Sequence, residues 1–356
     1  MLPSRERHFS YTLSKFATFP KKLLPITVIH GANRSGKSNL LKALFFLAQF
    51  IIYGCGKDRE IPAEPCQLAP EKKNELTSFS ILFRTSKNIY QYEIILTKKE
   101  IINEKLILFL PKEERILYDR NTEGKHIHSS VNTENLQSVL KSIQKNSTFL
   151  NEAYKKKVNL VTDAYEWFKN SLKFINENMQ CEYKNAIVKT TAYQEKLCYY
   201  LSKYDTGISR IFSNSQEINN SSNKTTTINL EFVHKYTEGN TVCFDFENES
   251  SGIKRLFYLL QVLVEPCENK NNSFVYIVDD VDRNLHPNLI CQFVTDFLLQ
   301  SSAEYRVQLV TTTNNTVLMD PHLLRRDEIW ITEKNLTGST LYSVSDFKIT
   351  KASQQP

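Results

Sequence analysis

The sequence predicts an α/β fold: an open sheet that carries an antiparallel β subdomain and a helical insertion. An apolar, β-branched run ending in glycine, "LLPITVIHG" (23–31), leads directly into a long helical pattern. A second apolar run, "FVYIV" (274–278), ends in two adjacent acids. Between these two runs, short alternating segments give way to apolar residues at three- and four-residue spacing.

Each element has its own signal. "NLLKALFFLAQFIIYG" (39–54) is broken by Lys42 and Gln49 and is too short to span a bilayer, so it reads as a helix buried on most sides. Residues 76–120 alternate in short runs with polar breaks, as an antiparallel meander does. From about 132 to 204, "TENLQSVLKSIQ", "NEAYKKKVNLVTDAYEWFKNSLKFI" and "AYQEKLCYYLSKY" have helical spacing. "SNSQEINNSSNKTTT" (213–227) is polar and reads as a surface loop. Strands "TINLEFVHKY" and "TVCFDF", helix "GIKRLFYLLQVLV" and strand "FVYIV" follow. Helix "NLICQFVTDFLLQ", strand "RVQLVTTT" and a final hairpin, "EIWITEK" with "STLYSVSDF", complete the order. No internal repeat is present.

At 356 residues the chain can bury one large core or two modest ones. Its 41% hydrophobic and 24% charged content is that of a soluble globular protein. The formal charge of +6, without a dense Lys/Arg run, is only a weak pointer to nucleic acid. Seven scattered cysteines, none in a C-x-x-C pair, and an N-terminus without an apolar core point to a reducing, cytoplasmic setting without a disulfide framework. His126 and His128 lack a nearby Cys or acid cluster and read as a loop pair, and "KKK" (155–157) as a solvated helix face.

"GANRSGKS" (Gly31 to Ser38) fits G-x-x-x-x-G-K-[ST], placed between a strand and a helix where that motif works. Its small residues let successive N–H groups curl around a β-phosphate, Lys37 reaches the β and γ oxygens, and the Ser38 hydroxyl ligates Mg²⁺. The candidate ATP-binding residues are Gly31, Asn33, Ser35, Gly36, Lys37, Ser38 and Asn39. Such a site needs a carboxylate at the end of a neighbouring strand to hold Mg²⁺. Asp279 takes that role, and Asp280 points toward the water that attacks the γ-phosphate.

With these segments placed, the chain resembles ABC-type ATPase heads, the class that includes the SMC and Rad50 proteins. It is similar, more closely, to the bacterial AAA15-type ATP-binding proteins found in anti-phage defence cassettes. The resemblance is carried in order by "GANRSGKSNLLKAL", the meander, "DTGIS" (205–209), "ENESSGIKRLFYLL", "VYIVDDVDRNLHP", "QLVTTTNNTVLMD", "LLRRDEIWITEK" and "LYSVSDFK". It implies a P-loop head whose N-terminal half spans 1–125 and whose C-terminal half spans 225–350. A helical insertion with its polar loop occupies 126–224, and 351–356 form a tail. It further implies that two heads face each other, so that "ESSGI" of one completes ATP on the other. Ser250 would meet the γ-phosphate, while Ser251 and Gly252 would allow close backbone approach. Gln67 would be the glutamine that senses Mg²⁺. His286, in the "LHP" that the resemblance shares, reads as a turn or interface residue.

Two positions depart from the pattern. Asp280 stands where such proteins commonly have Glu, and Asn314 where they have His. A shorter carboxylate and an amide that cannot become a cation predict a site that binds ATP well and turns it over slowly. The resemblance also implies a homodimer or higher homo-oligomer and a separate effector. That effector is expected to be a nuclease, of Toprim type as in PARIS-like systems or HNH type as in Septu-like ones. DNA or a phage protein is the expected trigger, and no membrane is involved. A nearly non-hydrolysing scaffold and a DNA-binding head of Rad50 type are the alternatives.

Overall fold

A computed structural model describes residues 2–4, 13–16, 19–56, 59–65, 75–121, 126–130, 134–175, 190–220, 223–237, 239–268, 273–300, 307–336 and 338–347. A short antiparallel pair, β1 (Ser14–Phe16) and β2 (Phe19–Leu23), precedes the first core strand, β3 (Ile26–His30). Every residue of β3 is buried, as a parallel strand covered on both faces requires. A glycine loop then delivers helix α1 (Lys37–Tyr53). Leu41, Leu47, Ala48, Phe50 and Ile51 bury one face of α1, whereas Leu40 and Phe45 stay exposed. The helix is therefore covered on one face rather than on most sides.

The meander follows as expected in β4 (Thr77–Arg84), β5 (Ile89–Leu96), β6 (Ile101–Phe109) and β7 (Glu114–Asn121), which pair in sequence order, all antiparallel. His126 and His128, read as a loop pair, lie instead in a fifth strand, β8 (His126–His128), whose backbone pairs antiparallel with β7. In β5, Tyr92, Ile94 and Leu96 are buried and the residues between them are not, the period-two pattern of a sheet with one covered face. The insertion contributes α2 (Glu134–Leu140), α3 (Phe149–Lys155) and α4 (Asn159–Glu166). A π-turn at Trp167–Ser171 then ends the helical run, and "LKFI" forms β9 (Leu172–Ile175). The sequence reading made this tetrapeptide helical. Over four residues, periods of 3.6 and 2 cannot be told apart, and pairing with a core strand decides the outcome.

Helix α5 (Thr191–Lys203) leads into β10 (Ile208–Asn220), β11 (Asn223–Thr237) and β12 (Asn240–Asp245), a three-stranded antiparallel sheet. The segment read as a polar surface loop is thus a hairpin, in register from Ser213↔Leu230 to Asn220↔Asn223. A backbone ladder needs no apolar side chains, so composition alone concealed it. Helix α6 (Ser251–Glu268), β13 (Phe274–Val278), α7 (Pro287–Gln300), β14 (Val307–Thr313), β15 (Ile329–Asn335) and β16 (Gly338–Ser343) close the chain as expected.

The central sheet runs β16–β15–β3–β14–β13–β9, with β16 antiparallel and the other five parallel. Val28, Tyr276, Val278 and Leu309 pack one face against α5, α6 and α7. Ile277 joins the other face to a second core made by α1, the meander and the insertion helices. The C-terminal ends of β3, β13 and β14 therefore meet at one edge, where ligands of open parallel sheets bind.

A buried carboxylate fastens the insertion to the meander. Glu104 is fully buried and accepts from the Tyr92 and Tyr118 hydroxyls at 3.1 and 3.0 Å, and from the N–H groups of Phe149 and Leu150 at 2.6 and 3.0 Å. Arg120 pairs with it at 3.3 Å. Both phenols are held well above their ordinary pKa, by burial first and by the Glu104 charge next. Glu104→Ala would leave the Arg120 charge buried and uncompensated, so a loss of about 3–5 kcal/mol in unfolding free energy is expected. Urea unfolding measures it, and a loss under about 1 kcal/mol would contradict this account of the joint.

Candidate functional site

The loop after β3 is shaped by what presses on it. Arg34 and Gly36 both adopt left-handed backbone, φ 67° and 105°. A Cβ on Gly31 would lie 2.2 Å from Thr332 Oγ1, and one on Gly36 would lie 2.4 Å from Ser339 Oγ, so β15 and β16 leave room only for glycine. The Ser35 and Thr332 hydroxyls are 2.6 Å apart, and Thr332 also donates to the His30 carbonyl at 3.2 Å. Lys37, only 6% exposed, folds back over this loop. Its ammonium donates to the carbonyls of Gly31 and Ala32 at 2.7 and 3.0 Å and to Asn314 Oδ1 at 2.5 Å. An ammonium has three donors, and all three are in use.

The two acids sit opposite. Ser38 Oγ donates to Asp279 Oδ1 at 3.2 Å, and Thr312 Oγ1 donates to the same oxygen at 2.5 Å. Thr312 Oγ1 in turn accepts from the Asp280 N–H at 2.8 Å. Arg255 Nη2 clamps the carbonyls of Asp279 and Asp280, both at 2.7 Å. Asp280 holds a left-handed φ of 47°, which costs energy for a residue other than glycine. Burial, then the neighbouring Asp279 and Asp282, push its carboxyl pKa up, against Lys37 and Arg255. A carboxylate of raised pKa is the stronger base.

The sequence reading placed the metal-site acid on the strand next to the loop strand. It stands on the next but one: β14 lies between β3 and β13 and brings Thr312 and Asn314 between the two halves of the site. Ser38 Oγ and Asp279 Oδ1 form a pair of hard oxygen donors, which fits Mg²⁺, an ion that takes one or two protein ligands together with phosphate oxygens and water. Among the described residues no group of three or more His, Cys, Asp or Glu side chains could hold a metal by itself.

Other expected residues fall at the surface or elsewhere. Asn33 and Asn39 are exposed beside the loop. Ser250 and Ser251 are exposed at the start of α6, where Ser250 Oγ caps the helix by accepting from the Ile253 N–H at 3.2 Å. Among the described residues, no hydrogen bond links either serine to residues 31–39. A Cβ on Gly252 would lie 3.0 Å from the Asn284 carbonyl, so the serine turn abuts the loop that follows the acids. His286 Nδ1 accepts from the Asn288 N–H at 3.2 Å, a turn role. Gln67 lies outside the described residues. Thr312, Thr332, Ser339 and Arg255 were missed, because hydroxyls and a helix arginine carry no spacing signal of their own.

Residues 26–320 match the family described as "AAA domain, putative AbiEii toxin, Type IV TA system". The chain belongs to this AAA family. The match takes in the glycine loop, the serine turn, both acids and Asn314, so the chain is a P-loop ATPase-like domain of mixed α/β fold. Solved structures similar to this AAA domain include an SmcHead bound to the C-winged helix domain of ScpA, with 14% identity, 90% of each chain covered and a TM-score of 0.45. A second is an Smc head domain with an extended coiled coil bound to the C-terminal domain of ScpA, derived from Pyrococcus furiosus, at 14% identity, 93% and 94% coverage and a TM-score of 0.41. A third is the SMC head domain from Thermotoga maritima, at 14% identity, 93% and 96% coverage and a TM-score of 0.35. No curated protein matches the chain. Among the described residues, no helix of the AAA domain is long and apolar enough to cross a membrane.

Proposed function

We propose that the chain is an ATP-driven head that closes as a homodimer around MgATP, hydrolyses it slowly and controls a separate effector. The observation that supports this best is the division of the site within one chain. Lys37, Ser38 and Asp279 cluster at the sheet edge, while Ser250 and Ser251 stand exposed on a helix start with no hydrogen bond to that cluster among the described residues. A second copy, facing the first, would bring its serine turn to the γ-phosphate.

In this reading Lys37 exchanges its two carbonyl partners for phosphate oxygens, and N–H groups at the start of α1 cradle the β-phosphate. Ser38 and Asp279 would hold Mg²⁺, which when bound neutralises phosphate charge. Asp280 accepts the proton of the attacking water. Asn314, already within hydrogen-bond reach of Lys37, contacts the γ-phosphate as a neutral amide. Slow turnover follows from the short reach of Asp280 and from an amide at position 314. The effector is proposed to be a nuclease of Toprim or HNH type in anti-phage defence, with DNA or a phage protein as trigger. The family's printed link to toxin and antitoxin systems is in keeping with a controlled effector. A scaffold that hardly hydrolyses ATP is the second reading, favoured by Asn314.

The divided site has a direct test. Lys37→Ala and Ser250→Arg should each be inactive alone. Mixed in equal amounts they should recover about a quarter of native turnover, because half the dimers are mixed and each mixed dimer holds one complete site. A mixture no more active than its two components would count against a shared site.

A further inference from the structure

His30 closes strand β3, one residue before the glycine loop, and its side chain has no evident structural duty. It is 2% exposed, and neither ring nitrogen has a hydrogen-bond partner. In register it stands opposite Thr313 of β14 on one side and Ile331 of β15 on the other. Burial holds its pKa down to about 4, so at neutral pH the ring is uncharged and offers one N–H donor. An apolar residue would fill such a place at lower cost, because a buried polar group left unpaired is destabilising.

Strand order brings one carboxylate to the same end of β14: Val281 is tied to Thr312, the residue before the Thr313 that faces His30, and Asp282 follows Val281 on the loop after the paired acids. The charges of Asp282 and Lys37 both act on the ring. That loop is strained at both ends, with left-handed φ of 47° at Asp280 and 61° at Asn284. Its start is tied by Arg255 and by the Val281 N–H, which donates to the Thr312 carbonyl at 3.0 Å. The Asp282 carboxylate, in contrast, takes no hydrogen bond from a described residue. A neutral imidazole with a spare N–H at the end of β3, and a carboxylate that accepts from no described residue on a loop with left-handed ends, thus meet the same end of β14. A bound triphosphate would engage the Lys37 charge and repel Asp282, so nucleotide changes the field in which that carboxylate sits.

We infer that His30 is a positioning residue for hydrolysis: as the nucleotide site closes, its imidazole donates to the Asp282 carboxylate and fixes the loop whose first residue, Asp280, orients the attacking water. The inference rests on the proposed MgATP reading. It supplies what that reading lacks, a device that sets a short carboxylate in place only when nucleotide is bound. Unmade in the empty site and made in the closed one, the bond gives the nucleotide a differential hold on the two states.

The test uses the full chain with His30→Phe, His30→Asn, Asp282→Ala and the double variant His30→Phe with Asp282→Ala. MgATP affinity, read by displacement of a fluorescent nucleotide, should stay within about threefold of native in all four. Turnover should fall by about tenfold or more in His30→Phe and Asp282→Ala, and recover in part in His30→Asn, whose amide N–H still donates. The double variant should be no slower than the slower single one, since both remove the same bond. Independently of turnover, histidine ¹⁵N spectra should show the His30 signal, identified by its loss in His30→Phe, shift on MgATP addition to the native chain and stay still in Asp282→Ala. Asp282→Ala changes a half-buried loop residue rather than the core and keeps the test valid if a His30 variant fails to fold. Native turnover in Asp282→Ala, or a His30 signal that stays still while the native chain binds MgATP, would overturn the inference and leave the ATPase reading intact. A native chain that binds no MgATP would remove both.

Discussion

Lys37→Ala should lower MgATP affinity by at least about a hundredfold, equivalent to about 2.7 kcal/mol. The residue is buried to 6% exposure, and its ammonium already makes three short hydrogen bonds, to Gly31, Ala32 and Asn314. Hydrogen bonds from a charged donor contribute about 1.5–3 kcal/mol each, and two or more of these would be transferred to phosphate oxygens. Lys37→Arg should not rescue binding. The ammonium sits among the carbonyls as a compact point charge, whereas a guanidinium needs a planar slot. Folding should be little affected, because the released carbonyls belong to Gly31 and Ala32, neither of which is buried. Titration calorimetry decides the matter, and an affinity within about threefold of native would mean that the lysine serves the loop and not a nucleotide.

Asp280→Asn should reduce turnover by about a hundredfold or more while MgATP is still bound, since removal of a general base typically costs at least that much. The mutated group is well placed to show it. Its backbone N–H is fixed by Thr312 and its carbonyl by Arg255, so the amide can occupy the same position without rearranging the strand end. Asp280→Glu should act in the opposite sense and raise the rate, by restoring the methylene that the shorter side chain lacks. The pH profile carries a further mark. Because the Asp280 carboxyl is pushed above its ordinary range, the base is lost as pH falls through that raised value, and the acid limb of the native profile should lie above that of an ordinary aspartate. An Asp280→Asn variant with the native rate would place the base elsewhere.

The parts of the site that were legible in the sequence are those whose chemistry demands a fixed spacing. A glycine at each end of a four-residue gap, followed by Lys37 and Ser38, has one sensible geometry, and the structure places Ser38 against Asp279. The helices of the C-terminal half were equally plain, because their apolar spacing extends over many turns. What stayed hidden depends on register or on contacts far apart in the chain. Thr312 reaches Asp279 only because β14 lies between β3 and β13, a fact of strand order that no local pattern encodes. Thr332 and Ser339 belong to the site only because β15 and β16 fold back onto the glycine loop. "LKFI" was too short to show its period, and the Ser, Thr and Asn of β10 and β11 concealed a ladder built by backbone alone.

The central claim is that MgATP joins two copies of this chain through the exposed serine turn and the Lys37 cluster. Native mass determination with and without MgATP, on the native chain and on Lys37→Ala, tests it most directly. The account predicts that MgATP doubles the mass of the native chain, or raises it to a higher even multiple, and leaves Lys37→Ala unchanged. An unchanged native mass at a MgATP concentration that saturates binding would contradict it.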